Sequence, residues 1–364
     1  MKQDQGFFVR QLRSLCAMAL LSPTLRLIPG AAAAAGRPAW AGPLAALPLL
    51  LVYAWLLWRM RQALKPGEEL PQQILQSLGR RAGRLALLLL GLWLLLYCGF
   101  TLRAGAERFL VTVYPRAPAW FFVVSMGLLA LPAGQGSLRR LTRVARMVEP
   151  VLLAVLGLIL LTALRSADMG SLLPLTPADA GALARSALPS LDVVGFGLAA
   201  YCLLCPGQAS EEKARPILLW TGALALLLTA LGAAVQGRFG SAVSARLSTP
   251  FFALVRNLTF FRSLERMEAL VVGLWIFPDF LLAGLALQAC RSCLLPALDM
   301  GSGPAAERRL AWPLALDAVG LGLLLAPDGA ALQLWSQRLI PGLNLAVAAL
   351  LPAVWGLLRL RKRL

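Results

Sequence analysis

The segment at residues 188–206 holds residue types that can do chemistry inside a membrane. It is long and apolar, yet Pro189 removes a backbone donor and Asp192 places a carboxylate at lipid depth. Gly195 and Gly197 further weaken a helix at this point. Because hydrocarbon offers no partner for a charge or a free peptide group, the segment should face other helices or a cavity. It is either an interrupted, ligand-binding helix or a kinked packing helix whose aspartate pairs with an arginine.

The first long apolar segment of the chain shows a similar interruption. Ser22-Pro23 lies in its middle and Pro29-Gly30 near its end, and each proline leaves a carbonyl one turn earlier without its donor. Broken helices at matching positions of two halves are typical of transporters that bind a small charged molecule at the midplane. We therefore predict that spans one and six are broken and meet around one site.

Few other acidic residues lie at membrane depth. For Asp279 and Asp317, proton coupling and structural pairing are both open, because burial moves a carboxyl pKa towards neutrality. Two glutamates near the membrane edge follow an arginine at helical spacing, and we interpret these as structural pairs. The pairs are Arg103 with Glu107 and Arg146 with Glu149.

Metal binding and catalysis have little support in the sequence. Cys202-x-x-Cys205 and Cys290-x-x-Cys293 have the spacing of a zinc site, but both pairs sit at apolar helix ends. The chain has no histidine, the commonest general base and metal ligand. It also lacks a nucleophile elbow, a phosphate loop and a dinucleotide fingerprint. We expect no enzyme activity, no cofactor and no metal.

The composition is that of a polytopic membrane protein. Of 364 residues, 59% are hydrophobic and 14% charged, and the mean hydropathy is +0.73. The net charge of +18 falls in short clusters between apolar runs, so it orients the chain in the bilayer and does not indicate nucleic-acid binding.

These apolar runs predict an all-α fold with about ten transmembrane helices, each needing roughly 20 residues. The predicted spans are 8–30, 40–59, 83–104, 117–134, 148–165, 185–206, 215–236, 267–290, 311–327 and 337–358. An even number places both termini on one side, and most of the 35 lysines and arginines lie on that side. The positive-inside rule therefore predicts cytoplasmic termini.

The outer segment at residues 237–266 is longer than the other connections. Thr249-Pro250 reads as a helix start, and the aromatic and aliphatic residues that follow are interspersed with Arg256 and Arg262. This mixture predicts an interfacial helix, which is either a lid over a binding cavity or a membrane-surface connector.

Three stretches of the chain resemble one known family. The first is Leu27-Ile-Pro-Gly-Ala through Ala35-Gly-Arg-Pro-Ala-Trp40, the second is Pro189 to Pro206, and the third is Pro250-Phe-Phe-Ala-Leu-Val-Arg256 with Leu264-Glu-Arg-Met-Glu-Ala-Leu270 and Trp275. They resemble the spore germination permeases, the B subunits of nutrient germinant receptors, within the amino acid/polyamine/organocation transporter superfamily. The likeness covers essentially the whole chain.

The resemblance implies an inverted-repeat fold of the leucine-transporter type, in which a nutrient binds between spans one and six. The candidate substrate-binding residues at the two breaks are Ser22, Pro23, Thr24, Ser190, Asp192, Gly195 and Gly197. It also implies partners, namely a second membrane subunit and a lipoprotein, and a location in the cell or spore inner membrane. Two hypotheses follow: an amino acid sensor that signals through these partners, or an amino acid symporter or exchanger that works without them.

Overall fold

The computed structural model describes residues 2–65, 67–207, 213–258, 267–301 and 303–361. All regular secondary structure in these ranges is helical. The helices are α1 (Lys2–Ala35), α2 (Gly42–Gln62), α3 (Leu70–Leu78), α4 (Arg80–Thr112), α5 (Ala119–Gln135), α6 (Leu138–Arg165), α7 (Ala180–Leu204), α8 (Arg215–Arg246), α9 (Pro250–Asn257), α10 (Met267–Leu274), α11 (Ile276–Ala297), α12 (Pro304–Leu325), α13 (Gly329–Leu334) and α14 (Ile340–Arg361). A π-helical turn, Trp335–Leu339, joins α13 to α14.

The predicted spans all overlap these helices. Among the described residues, eight segments are long and apolar enough to cross a membrane, counting α10 with α11 and α13 with α14 as one segment each. Of the other two, α5 has only 17 residues, and α12, with 22 residues, is not among the eight. The chain is therefore an all-helical protein with eight candidate spans, while ten spans and an inverted repeat remain predictions.

The predicted breaks in spans one and six are wrong. α1 runs without interruption through Pro23 and Pro29, and α7 runs through Pro189. A proline removes one hydrogen bond, and a buried helix continues when neighbouring groups satisfy the carbonyls around it. Hydroxyl groups also bond to the helix backbone close to two of the prolines: Thr24 Oγ1 donates to the carbonyl of Leu21 at 2.6 Å, and Ser186 Oγ donates to that of Leu183 at 2.7 Å.

α1 and α7 form the interior of the bundle. In each of them 83% of the apolar window is buried, compared with 22% in α6 and 17% in the segment that contains α14. α1 packs against α6, α7, α8 and α11, and α4 packs against α5, α11 and α12. The proline-containing helices are thus surrounded by protein, whereas α6 and α14 present leucines outward, as lipid-facing helices do.

The described part of the 237–266 segment, residues 237–258, is more helical than predicted. α8 passes residue 236 and continues to Arg246, bending at Gly240, whose φ of 71° suits glycine. α9 follows, and its Phe251 and Phe252 are fully buried against Trp275. Its aromatic face therefore packs on protein. Residues 259–266, with Arg262 and part of the third family-like stretch, lie outside the described residues.

Candidate ligand-binding site

A cavity of about 560 Å3 lies between α1 and α7. α4 and residues 336–345, which span the π-helical turn and the beginning of α14, complete its walls. Its size is within the usual range for small-molecule sites. The lining includes Pro23 and Arg26 of α1, Tyr97 of α4, and Pro189 and Asp192 of α7. A hollow is therefore present between the two helices even though neither helix is broken.

Asp192 supplies the negative charge of this cavity. The residue is 5% exposed, and its Oδ1 accepts a hydrogen bond from Asn344 Nδ2 of α14. The expected arginine partner is not found, because among the described residues no cation forms an ion pair with Asp192. A buried carboxylate with only a neutral partner retains most of its attraction for a cation.

Arg26 of α1 supplies a positive charge to the same cavity. Its Nη2 donates to Tyr97 Oη at 3.5 Å, and its guanidinium carbon lies 4.5 Å from the centre of the Phe100 ring. Within the described part of the chain, its Nε has no hydrogen-bond partner. A cation–π contact leaves guanidinium donors free, and these suit a carboxylate.

A second, smaller cavity of about 110 Å3 adjoins the first, and Arg26 lines both. Phe251 and Phe252 of α9 form part of its wall, so α9 borders a cavity near the site. Arg108 lines it as well, and this arginine belongs to a buried cluster.

That cluster ties α1, α4 and α11 together. Asp279 Oδ1 forms an ion pair with Arg108 and accepts a hydrogen bond from Ser22 Oγ at 2.5 Å. Arg108 Nη2 also donates to Ser22 Oγ at 3.4 Å. All three residues are at most 5% exposed. The structural interpretation of Asp279 therefore fits this geometry, because its charge is neutralised inside the protein.

Comparison with known proteins places the chain in a family. A family model described as spore germination protein matches residues 8–292, more than three quarters of the chain. The chain belongs to the spore germination permease family. This family is of the transporter or receptor type. A comparison with curated proteins found no match.

The matched residues include α4, α7 and α1 from residue 8 onward, and these helices form three walls of the large cavity in this family member. The wall at residues 336–345 lies beyond the match, and so does Asn344. The family assignment therefore covers the two helices around which the site was predicted, and the tertiary structure adds the fourth wall.

The structure distributes the predicted site residues over several places. Pro23 and Asp192 line the large cavity. Thr24 and Ser190 line a separate space of about 20 Å3, which is too small for an amino acid. Ser22 belongs to the Asp279 cluster. Only two of the seven residues are therefore in a position to contact a ligand in the large cavity.

Gly195 and Gly197 serve helix packing. A methyl group added at Gly197 would lie 2.3 Å from Leu20 Cδ1, so α7 approaches α1 closely at this residue. A methyl group at Gly195 would lie 3.7 Å from Ala348 Cβ, an ordinary contact with α14. Neither glycine lines the large cavity, and neither interrupts α7.

The remaining acidic residues have diverse surroundings. The pair of Glu107 with Arg103 is confirmed, at 2.6 Å. Glu149 accepts instead from Ser14 Oγ at 3.3 Å, and the described residues contain no ion pair between Glu149 and Arg146. Asp317 is exposed on α12, away from both cavities.

The six cysteines are free and buried. Cys202 and Cys290 donate to main-chain carbonyls of Leu57 and Gly91. Among the described residues, no group of three or more cysteine or acidic side chains has the geometry of a metal site.

Sequence reasoning missed Arg26, Tyr97 and Asn344. Arg26 and Asn344 are polar residues within predicted spans, so the rule that singled out Asp192 applies to them as well. Tyr97 has no such signal, because tyrosine is common in membrane helices and only the packing of α4 shows that it faces the cavity.

Proposed function

We propose that this protein is the nutrient-sensing membrane subunit of a spore germinant receptor, and that an amino acid binds in the large cavity between α1 and α7. The main support for this proposal is that Arg26 and Asp192, which have opposite charges, line the same cavity. An amino acid is a zwitterion of matching polarity. Family membership supports the role in germination.

The residues have distinct roles in this proposal. The Arg26 guanidinium binds the carboxylate of the ligand, and the Asp192 carboxylate binds its ammonium group. Asn344 holds Asp192 in position through its hydrogen bond. Side chains thus bind the ligand in place of the free helix ends, because α1 and α7 are continuous.

Ligand binding in the cavity would shift the equilibrium between two conformations of the chain, and partner subunits would respond to that shift. We propose that these partners are a second membrane subunit and a lipoprotein in the spore inner membrane, and that the fold is a ten-span inverted repeat.

The alternative function is amino acid transport. The ion pair of Asp279 with Arg108 occupies one buried carboxylate, so ion-coupled transport would have to use Asp192, which in the sensor proposal binds the ammonium group of the ligand.

The test uses the purified full chain in lipid nanodiscs with a panel of amino acids. A ligand at 100 times its Kd stabilises the folded protein by about 2.7 kcal/mol, which raises the unfolding midpoint. We expect this rise to be lost in Arg26→Gln and Asp192→Asn, since a hydrogen bond to a charged group contributes about 1.5–3 kcal/mol. Each variant should weaken binding by about 10–100-fold.

The matched controls are Arg116→Gln and Asp317→Asn, because both residues are exposed and lie outside the two cavities. Full stabilisation in the Arg26→Gln and Asp192→Asn variants would contradict this site. Uptake of the stabilising amino acid by vesicles that contain only this chain would favour the transport alternative. Binding without uptake would favour the sensor.

A further inference from the structure

Two more arginines line the large cavity. Arg185 lies on α7, two turns before Asp192, and Arg338 lies in the π-helical turn between α13 and α14. Both are exposed, so they stand at the mouth of the cavity. Arg185 Nε donates to the carbonyl of Ala34 at 3.2 Å. This bond holds its guanidinium beside the end of α1.

The charges around the cavity are unequal. Three guanidinium groups, from Arg26, Arg185 and Arg338, face one carboxylate, from Asp192. In the described part of the chain, none of the three arginines forms an ion pair with a carboxylate within 4.0 Å. A neutral zwitterion would leave this excess of two positive charges unchanged.

The predicted orientation makes these arginines unusual. The mouth lies at the end of α1 and the beginning of α7, which the positive-inside rule places on the outer side. Cationic residues are depleted on that side. Two of them line one cavity mouth, and neither forms an ion pair with a described residue, so both guanidinium groups can still bind an anion.

We propose that the ligand is an amino acid with an acidic side chain, the class of aspartate and glutamate. This inference rests on the proposed function and specifies its substrate class. The α-carboxylate binds Arg26 and the ammonium group binds Asp192. The side-chain carboxylate binds at the cavity mouth to Arg185 or Arg338, because a guanidinium matches a carboxylate through two parallel hydrogen bonds.

The test compares glutamate with glutamine, which have the same shape and differ by one charge. Dissociation constants are measured calorimetrically with the full chain in nanodiscs of zwitterionic phosphatidylcholine, which contain no anionic lipid. We expect glutamate to bind about 10–100-fold more tightly than glutamine, the effect of one added charge-assisted contact. Aspartate and asparagine provide a second matched pair.

Variants test whether Arg185 and Arg338 cause the preference for glutamate over glutamine. In Arg185→Gln and Arg338→Gln the ratio of the two dissociation constants should fall towards one, whereas Arg185→Lys and Arg338→Lys should retain part of it. Arg116→Gln, outside the cavity, should keep the full ratio. The comparison of glutamate with glutamine in the wild-type protein needs no variant, so it tests the proposed ligand class even if a variant does not fold.

The outcomes separate the two proposals. Equal binding of glutamate and glutamine, with both lost in Arg26→Gln, would overturn the acidic ligand and leave the amino acid site standing. If no amino acid binds, both proposals fail. If phosphatidylglycerol in the nanodiscs abolishes the glutamate preference of the wild type and glutamate cannot restore it by competition, the arginines bind lipid headgroups and the proposed ligand class is wrong.

Discussion

Individual charged residues inside the bundle are stabilised in different ways. Asp279 forms an ion pair with Arg108, Asp192 has a neutral amide partner, and Arg26 makes a cation–π contact with the Phe100 ring. A buried charge costs several kcal/mol unless a partner offsets it. The paired charges hold helices together, whereas Asp192 and Arg26, which form no ion pair with a described residue, line the large cavity and are available to a ligand.

The first prediction concerns the Asp279 pair. Arg108→Gln should lower the free energy of unfolding by about 3–5 kcal/mol, because it leaves the buried Asp279 carboxylate without its cation. Replacing both partners by apolar residues, as Arg108→Met with Asp279→Leu, should recover much of this loss. The measurement is the thermal unfolding midpoint in detergent.

An exposed ion pair provides the control for this prediction. Arg80 and Arg84 both contact Asp299 Oδ2 at 2.7 Å near the surface. The hydrogen bond and charge of Arg80, with the charge of Arg84, lower the pKa of Asp299 below its ordinary value. Solvent screens such pairs, so Arg80→Gln should change the midpoint little. A loss in Arg108→Gln no larger than in Arg80→Gln would show that the buried pair is not important for stability.

The helices themselves owe their arrangement to small residues at close contacts. A methyl group at Gly42 would lie 2.4 Å from the carbonyl oxygen of Ser186, where α2 meets α7. Gly197 plays the same part where α7 meets α1. Glycine lets membrane helices approach until their backbones nearly touch. At these positions glycine is explained by packing between continuous helices.

The second prediction compares two glycines of α7. Gly197→Ala should be less stable than Gly195→Ala by about 1–3 kcal/mol, because only the former forces Leu20 to move within a filled core. Both variants gain the same helix propensity, about 1 kcal/mol, so their difference isolates packing. Thermal unfolding of the two variants measures it.

Gly195→Ala serves as the matched control, since its added methyl group meets Ala348 at an ordinary distance. Equal midpoints for the two variants would mean that the contact between α1 and α7 relaxes freely at Gly197. In that case close packing would not account for the glycine.

At the scale of the whole molecule, the site lies at one end of the two interior helices. The cavity reaches Ala34 near the end of α1 and Arg185 near the beginning of α7. With cytoplasmic termini, both of these positions are on the outer side. The predicted orientation therefore opens the cavity to an external nutrient, and the orientation can be tested directly.

The third prediction concerns this orientation. Ala178→Cys, in the exposed connection before α7, should react with a membrane-impermeant maleimide in intact cells. Gln76→Cys, exposed on α3, should react only after the membrane is permeabilised. The six native cysteines are buried, so the wild-type protein should show little background labelling. The reverse labelling pattern would place the termini outside.

Several features of the protein follow from the sequence alone. The long apolar runs predict membrane helices, and the described helices overlap the predicted spans. The family-like stretches predict the spore germination permeases, which the family match confirms. The membrane helices follow from hydrophobicity and length along the chain, and the family follows from short stretches of sequence, so neither needs a tertiary contact.

The position of the candidate site could be found only from the tertiary structure, for two reasons. A proline in a membrane helix breaks it only if the surroundings fail to satisfy the nearby carbonyls, and the surroundings of Pro23 and Pro189 are known only after packing. In addition, neighbouring residues on a helix point about 100° apart. Ser22, Pro23 and Thr24 therefore reach three different places. Arg26 and Asp192 share one cavity because α1 and α7 pack with those faces together, a relation that neither segment encodes by itself.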